Sequence, residues 1–415
     1  MVTKRIEIIA IGDEVLRGET RGDNAAWIGR ALAHAGLEVN RDTVIPDDLA
    51  AIETELRAAA SRSDVAVVTG GLGPTVDDIT KEALIRAFDL ETVYREDIVR
   101  GIEERLAGRG RTMHAGYRDQ GRVPASAAIL ENVVGLAVGL RVVAGGCEFF
   151  LLPGVPAEME AMFQSSVLPA LGAPGEDFAV RLRTFGLTEN EAEDLVRTAV
   201  PEAVLRGVSI ISAPKGVDLY FARGGDAELI AAARRALGIR VYEVGDRSLE
   251  EVVVELLLSR RATLATAESV TGGLLASTIV SVSGASGAFR EGFVVYANEA
   301  KIERLGVRRE TIEGRGAVSL ETCAEMARGA RSRAGADFAL ATTGIAGPAG
   351  AVPGKPAGLC YVGCAGAEGT FVRKLLFPGD RETIRLRAAY HALDLLRLAL
   401  EGAAEVLAPF AADGA

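Results

Sequence analysis

Lys301 is one of only six lysines in a chain that carries 40 arginines. A buried lysine can lose its proton, whereas arginine stays charged, so a position that keeps lysine in such a chain is a candidate base. Hydroxyls and glycines accompany it. The run AESVTGG, residues 267–273, places Ser269 at the end of an apolar stretch, with Thr271 near the opening of a helix and Gly272 and Gly273 beside it. Ser269 or Thr271 also serves as a plain helix cap at such a place. Residues 283–306 then supply Ser286, Tyr296 and Lys301, the lysine five positions beyond the tyrosine on a new helix. A lysine solvated on a helix face is the alternative reading. Residues 341–363 hold Thr343 and Gly344 in a Gly/Pro-rich stretch whose amides can cradle a phosphate or an oxyanion, or form an ordinary surface loop. Asp380, Arg381 and Arg385 open the closing helix as cap and surface charges, or as contacts to a phosphate.

A second group precedes these. In TGGLGPTVDDIT, residues 69–80, Gly70, Gly71 and Gly73 follow a buried strand and let backbone N–H groups approach an anion. Thr75 reads as a cap, and Asp77 and Asp78 as first-turn carboxylates that complement the helix dipole. If a phosphate binds beside them, a metal or a basic group must neutralise the cluster, and in the metal reading the two carboxylates are the ligands of a divalent cation. The loop after the first strand, residues 11–27, brings Asp13, Glu14, Asp23 and Asn24 toward the same sheet edge, as does the sharp LPGVP bend at 152–156.

Those loops need strands to hold them. The first 170 residues alternate β-branched runs with amphipathic ones in the order βαβαβα, which implies a parallel sheet covered on both faces, with sites at the carboxyl ends of its strands. Shorter, less regular pieces fill 171–246 and suggest a small α+β domain. A fresh helix capped by Ser248 starts a third, α/β domain that runs over 247–415. The whole is expected to be α/β. The net charge of −11 and 5% aromatic content disfavour nucleic acid as a partner. Four cysteines match no zinc spacing, and Cys360 and Cys364 read as strand residues packed in a core. With no basic segment leading an apolar run, a reduced, cytoplasmic protein is expected. The longest uncharged run, 269–289, has 11 Gly, Ser or Thr among its 21 residues and is not a membrane span.

GDEVLRGET, GGLGPTVDDIT and LPGVPAEM together resemble the molybdopterin-binding fold of the MoaB and MogA type. ESVTGG, YANEAK, TTGIAGP, KPAG and GDRETIR resemble the nicotinamide-nucleotide amidase domain of the CinA (competence/damage-inducible) family, which the chain resembles over nearly its whole length. The resemblance implies hydrolysis of nicotinamide mononucleotide to nicotinate mononucleotide and ammonia by the last domain, without a cofactor. It implies metal-dependent cleavage of ADP-ribose to AMP and ribose 5-phosphate by the first, in pyridine nucleotide recycling. Carried over by position, the catalytic serines fall on Ser269 and Ser286, with Ser286 favoured as nucleophile and Tyr296 and Lys301 as proton-transfer partners. Thr271, Gly272, Gly273, Thr343, Gly344 and Arg381 fall around the nucleotide. Gly70, Gly71, Gly73, Thr75, Asp23 and Asn24 fall around the ADP-ribose, and Asp77 and Asp78 on the metal. A homodimer is implied as well. Departures occur: Asp13 stands where Thr is usual, residues 132–140 lack the usual Thr-Ala-Pro-Gly turn, GLTEN replaces a Gly-Glu-Ser stretch, and Val270 and Ala285 replace Cys and Ser. The alternatives are an amidase whose first domain only binds a pterin or nucleotide, and a competence or DNA-damage scaffold.

Overall fold

Residues 6–11 and 65–69 are apolar or β-branched at almost every position, the pattern of strands buried on both faces. They form β1 (Ile6–Ile11) and β3 (Val65–Thr69), which pair in parallel; β2 (Val39–Ile45) lies outside β1. A computed structural model describes residues 4–20, 22–172, 180–205, 208–221 and 227–403. The expected change of pattern at 171 and the end of the chain fall partly on 173–179 and 404–415, outside the described residues. The chain divides into two compact units, Met1–Ala179 and Val180–Ala415.

In the first unit the short pair β4 (Thr92–Tyr94) and β5 (Arg122–Pro124) stands apart from the main sheet. That sheet also takes in β6 (Ala128–Leu130), β7 (Gly139–Ala144) and β8 (Cys147–Leu152), in the order β2-β1-β3-β8-β7-β6. The sequence implied a parallel sheet; β6 and β7 are antiparallel. The reason is local. Only Gly145 and Gly146, both at positive φ, separate β7 from β8, and a two-residue turn of this kind joins antiparallel strands while a parallel pair needs a long crossover. Helices cover both faces, and two apolar clusters, one around Phe149 and Leu56, the other around Phe150 and Ile28, hold them there.

The second unit opens with an antiparallel sheet of β9 (Val180–Thr184), β10 (Val208–Ala213), β11 (Gly216–Phe221) and β12 (Val241–Val244), ordered β10-β11-β9-β12 over its own core. Ser248 then caps the helix Leu249–Ser259 in a capping box with Glu251, as its sequence indicates. The five-stranded sheet that follows is β14-β13-β15-β16-β17: β13 (Leu264–Glu268), β14 (Phe289–Val294), β15 (Phe338–Gly344), β16 (Leu359–Gly366) and β17 (Gly369–Leu376). The first three are parallel. β14 begins at Phe289, which pairs with Leu264 at the start of β13. The closing helix Arg381–Leu400 packs its long apolar face on β16, and Cys360 and Cys364 are buried under it. Tyr390 of this helix donates to Glu250 of the helix Leu249–Ser259, and His391 lies edge-on to Phe185, which with Tyr242 of β12 joins the core of the last sheet. Among the described residues no helix is long and apolar enough to cross a membrane.

Candidate active sites

The carboxyl ends of β1, β3 and β8 open into a cleft with two lobes of about 480 and 260 Å³, which share Ile11, Glu14, Gly70 and Gly154. Gly70 has φ +108°, and a Cβ there would stand 2.1 Å from the Ile11 carbonyl oxygen; at Gly71, φ +63°, it would meet Thr80 Oγ1 at 2.2 Å. Only glycine fits this turn. Gly70, Gly71, Gly73, Asp77 and Asp78 line the larger lobe, and Asp23 and Asn24 the smaller.

Several residues have other partners than expected. Thr75 caps no helix, since the next one starts at Thr80 behind Ile79; its amide and hydroxyl both donate to Asp78 Oδ2. The threonine is thus spent on the carboxylate and is not a free phosphate donor. Asn24 Nδ2 donates to Thr69 Oγ1 at 3.0 Å and to the Gly154 carbonyl at 2.9 Å, tying the loops after β3 and β8 to the helix Asp23–His34. It positions the cleft. Asp13 is paired with Arg17 and exchanges hydrogen bonds with Asp47, so of the neighbouring Asp13 and Glu14 it is Glu14 that lines the cleft, in both lobes.

Sequence reasoning missed Asp47, Arg109, Arg111, Tyr117 and Glu158, all on the larger lobe. Asp47 follows β2 in an ordinary IPDD turn and nothing in its spacing marks it. Burial, together with the charges of Glu14, Asp13 and Asp77, raises its carboxyl above the usual range. Asp77 is held below that range by hydrogen bonding at the same turn. Among the described residues no group of three or more His, Cys, Asp or Glu side chains forms a ready metal cage. Carboxylates of this kind suit a magnesium-like ion, which commonly takes one or two protein carboxylates and completes its shell with water and phosphate.

In the second unit, a cleft of about 180 Å³ opens at the carboxyl ends of β13, β14 and β15. Ser269, Tyr296, Asn298, Lys301, Thr343, Gly344 and Arg381 line it. Lys301 sits on the helix Asn298–Leu305 and is 1% exposed, which excludes a solvated surface lysine. Its Nζ donates to the carbonyls of Val295 at 2.9 Å and Tyr296 at 3.0 Å, and burial pushes its pKa down to about 8. A neutral amine has two N–H groups and one lone pair. Two carbonyls take the former, leaving the lone pair to accept a proton. The Ser269 hydroxyl makes no hydrogen bond among the described residues.

Arg381 donates to the Gly347 carbonyl at 2.9 Å and to the Tyr296 hydroxyl at 3.3 Å, leaving further N–H groups for an anion. Thr343 Oγ1 donates to the Ala317 carbonyl at 2.8 Å. Its proton is committed, so it meets a ligand as an acceptor and cannot serve an oxyanion.

The ESVTGG turn is a correction. Neither Ser269 nor Thr271 caps the following helix. The buried Glu268 carboxylate does, accepting from the amides of Gly273, Leu275 and Ala276 at 2.8–3.0 Å. Thr271 is buried against Thr342, and Arg385 holds the Thr271 carbonyl, so Thr271, Gly272 and Gly273 shape the turn and do not line the cleft. Glu268→Ala leaves three amides without their acceptor and is expected to destabilise the protein by about 2–3 kcal/mol, read by urea unfolding. A change below about 0.5 kcal/mol would overturn this assignment.

Ser286 is the second correction. It lies exposed in the short turn Ala285–Gly287 that precedes β14, at the amino end of the strand, while the cleft sits at the carboxyl end. Within one chain it is Ser269, not Ser286, that shares a cleft with Lys301.

A profile described as CinA C-terminal domain matches residues 246–400, and one described as probable molybdopterin binding domain matches residues 7–173. A CinA-like protein of Frankia casuarinae is 42% identical over 428 residues, covering 96% of this chain and 96% of that protein. A putative competence-damage inducible protein of Caldanaerobacter subterraneus is 40% identical over 412 residues, covering 96% of this chain and 99% of that one. Among solved structures, the protein CinA from Thermoplasma acidophilum, whose function is described as unknown, is 36% identical, covers 40% of this chain and 98% of its own, and superposes with a TM-score of 0.38.

Proposed function

As the chain belongs to the CinA family, we propose that its carboxyl-terminal cleft deamidates nicotinamide mononucleotide and that its amino-terminal cleft hydrolyses ADP-ribose with a divalent cation. The observation that carries the first reading is the buried Lys301 amine, with both its N–H groups bound to carbonyls, in one cleft with the unbonded Ser269 hydroxyl. Lys301 takes the Ser269 proton as the oxygen attacks the carboxamide carbon. That proton then goes to the departing nitrogen, which leaves as ammonia. Water cleaves the resulting ester to give nicotinate mononucleotide and restores Ser269. Thr343, as an acceptor, fits the carboxamide N–H₂, and Arg381 fits the phosphate. Tyr296 is kept in place by Arg381.

In the first cleft Asp77 and Asp47 would hold the cation, with Asp78 turned toward Thr75. Bound there, such a cation would supply charge neutralisation at the diphosphate and a lowered pKa for the attacking water. Arg111 and Arg109 are the cationic side chains of that lobe, the latter anchored on the Val134 carbonyl.

Incubating the purified protein with each nucleotide and identifying products tests both halves. A chelator is expected to stop release of AMP from ADP-ribose and leave ammonia release from nicotinamide mononucleotide unchanged, since the Ser–Lys chemistry needs no metal. Asp47→Asn is expected to lower ADP-ribose cleavage at least about 10²-fold with deamidation intact. Equal loss of both reactions in chelator would refute the division.

A further inference from the structure

The Gly-rich turn after β3 is held from behind by a side chain that stays out of the cleft. Gln120, 6% exposed, lines neither lobe, and its Nε2 donates to the carbonyls of Leu72 at 3.0 Å and Gly73 at 2.8 Å. Two carbonyl oxygens can face only the N–H₂ end of the amide, so its orientation is fixed. The mount is fixed as well. Gln120 lies in the turn Asp119–Gly121, whose Asp119 carbonyl accepts from Lys81 Nζ at 2.8 Å and whose Gly121 carbonyl accepts from the Arg95 amide at 2.8 Å. Just before it, Gly116 approaches the same Gly-rich turn so closely that a Cβ would stand 2.1 Å from the Pro74 carbonyl oxygen.

Peptide geometry sets the consequence. The Leu72–Gly73 bond is trans, and in a trans peptide the C=O and the N–H point in opposite directions. With the Leu72 carbonyl drawn toward buried Gln120, the Gly73 N–H is turned the other way, toward the larger lobe that Gly73 lines. That N–H has no acceptor among the described residues. A half-buried donor without a partner is a bond left for an anion to complete. Glycine alone would let this peptide plane rotate, and the two bonds from Gln120 remove that freedom.

We propose that Gln120 is a positioning residue for phosphate binding in the first cleft: it fixes the Leu72–Gly73 peptide so that the Gly73 N–H is aimed at a phosphate of a bound diphosphate. The proposal rests on the ADP-ribose reading above for the identity of that diphosphate. Gln120 itself touches no ligand and acts through the turn it holds.

Two variants of the full-length protein test this. Gln120→Met keeps the length and removes both N–H groups; Gln120→Glu keeps the shape, repels the two carbonyls while ionised and regains one donor when protonated. A hydrogen bond to a charged group that forms alike in bound substrate and transition state acts on KM. Gln120→Met should therefore raise KM for ADP-ribose by about 10- to 100-fold with kcat nearly unchanged. Gln120→Glu should show the same loss at pH 8 and, relative to the unmutated protein at each pH, recover toward pH 5, which a folding defect would not do. The amide itself is read by NMR. Leucine labelled with ¹³C at its carbonyl and glycine labelled with ¹⁵N select the four Leu–Gly pairs of the chain, at Gly73, Gly172, Gly238 and Gly306. Inorganic pyrophosphate with magnesium should shift the Gly73 signal, assigned by its loss in Leu72→Ile, and leave it unmoved in Gln120→Met. The Gly172 signal reports that the first unit is folded. An unchanged KM in folded Gln120→Met, a Gly73 signal that moves there as in the unmutated protein, or one that does not move in the unmutated protein would each overturn the proposal. If Gln120→Met does not fold, Gln120→Glu decides, and absence of recovery toward pH 5 overturns it. Absence of AMP release by the unmutated protein would instead refute the ADP-ribose reading, and the Gly73 signal still decides the role of Gln120.

Discussion

Ser269→Ala is expected to lower deamidation of nicotinamide mononucleotide by at least about 10³-fold, the scale on which removing a nucleophile acts. The loss should fall on kcat. The Ser269 hydroxyl makes no hydrogen bond among the described residues, so the variant should unfold at the same denaturant concentration and bind the nucleotide with little change by calorimetry. Single-turnover experiments separate the two mechanisms that the cleft permits. If the serine attacks, mass spectrometry of quenched enzyme shows an acyl adduct that Ser269→Ala lacks. A variant that turns over at a rate near that of the unmutated protein would mean that water, activated by Lys301, attacks directly.

The fold was legible because its signals are local and mutually consistent. The runs at 6–11 and 65–69 could only be buried strands, and the Ser248 capping box announced a helix start. The antiparallel edge of the first sheet depended on how Gly145 and Gly146 turn the chain, which the run GLAVGLRVV does not record. At the sites, sequence found residues that carry chemistry at the end of a recognisable strand, such as Ser269, Thr343 and the Gly70 turn. It missed groups whose importance comes from what folds over them. Glu268 is written as one more letter of a strand, yet it occupies the helix amino terminus that Gly272 and Gly273 were expected to offer a ligand. Asp47 belongs to a plain turn and acquires its raised carboxyl only when the fold buries it beside Glu14, Asp13 and Asp77. Ser286 shows the opposite failure: motif position assigns it to the site, and strand direction removes it within one chain.

Lys301→Arg is expected to reduce deamidation by about 10²–10⁴-fold, the contribution of a positioned proton acceptor, although it preserves the charge. A guanidinium does not give up its proton near neutrality, so it can satisfy the carbonyls of Val295 and Tyr296 but cannot take the Ser269 proton. Because the larger head is forced into a buried site, Lys301→Met is the companion variant; it should be equally inactive. The pH dependence separates a base from a structural cation. With the amine at about 8, kcat of the unmutated protein should climb through that pH and level off above it, as the neutral form becomes the major one. Neither variant should show this limb. Stability follows with a definite sign: the folded pKa lies below the unfolded 10.5, so the unfolded chain holds more protons between about 8 and 10.5 and folding gains stability as pH rises through that window. Below about 8 the full cost of burying the cation is present. Relative to Lys301→Met, the unmutated protein should therefore gain resistance to urea between pH 7 and pH 10. A kcat that is flat from pH 6 to pH 10, with no relative gain in stability, would show that Lys301 stays charged throughout and would remove it as the base.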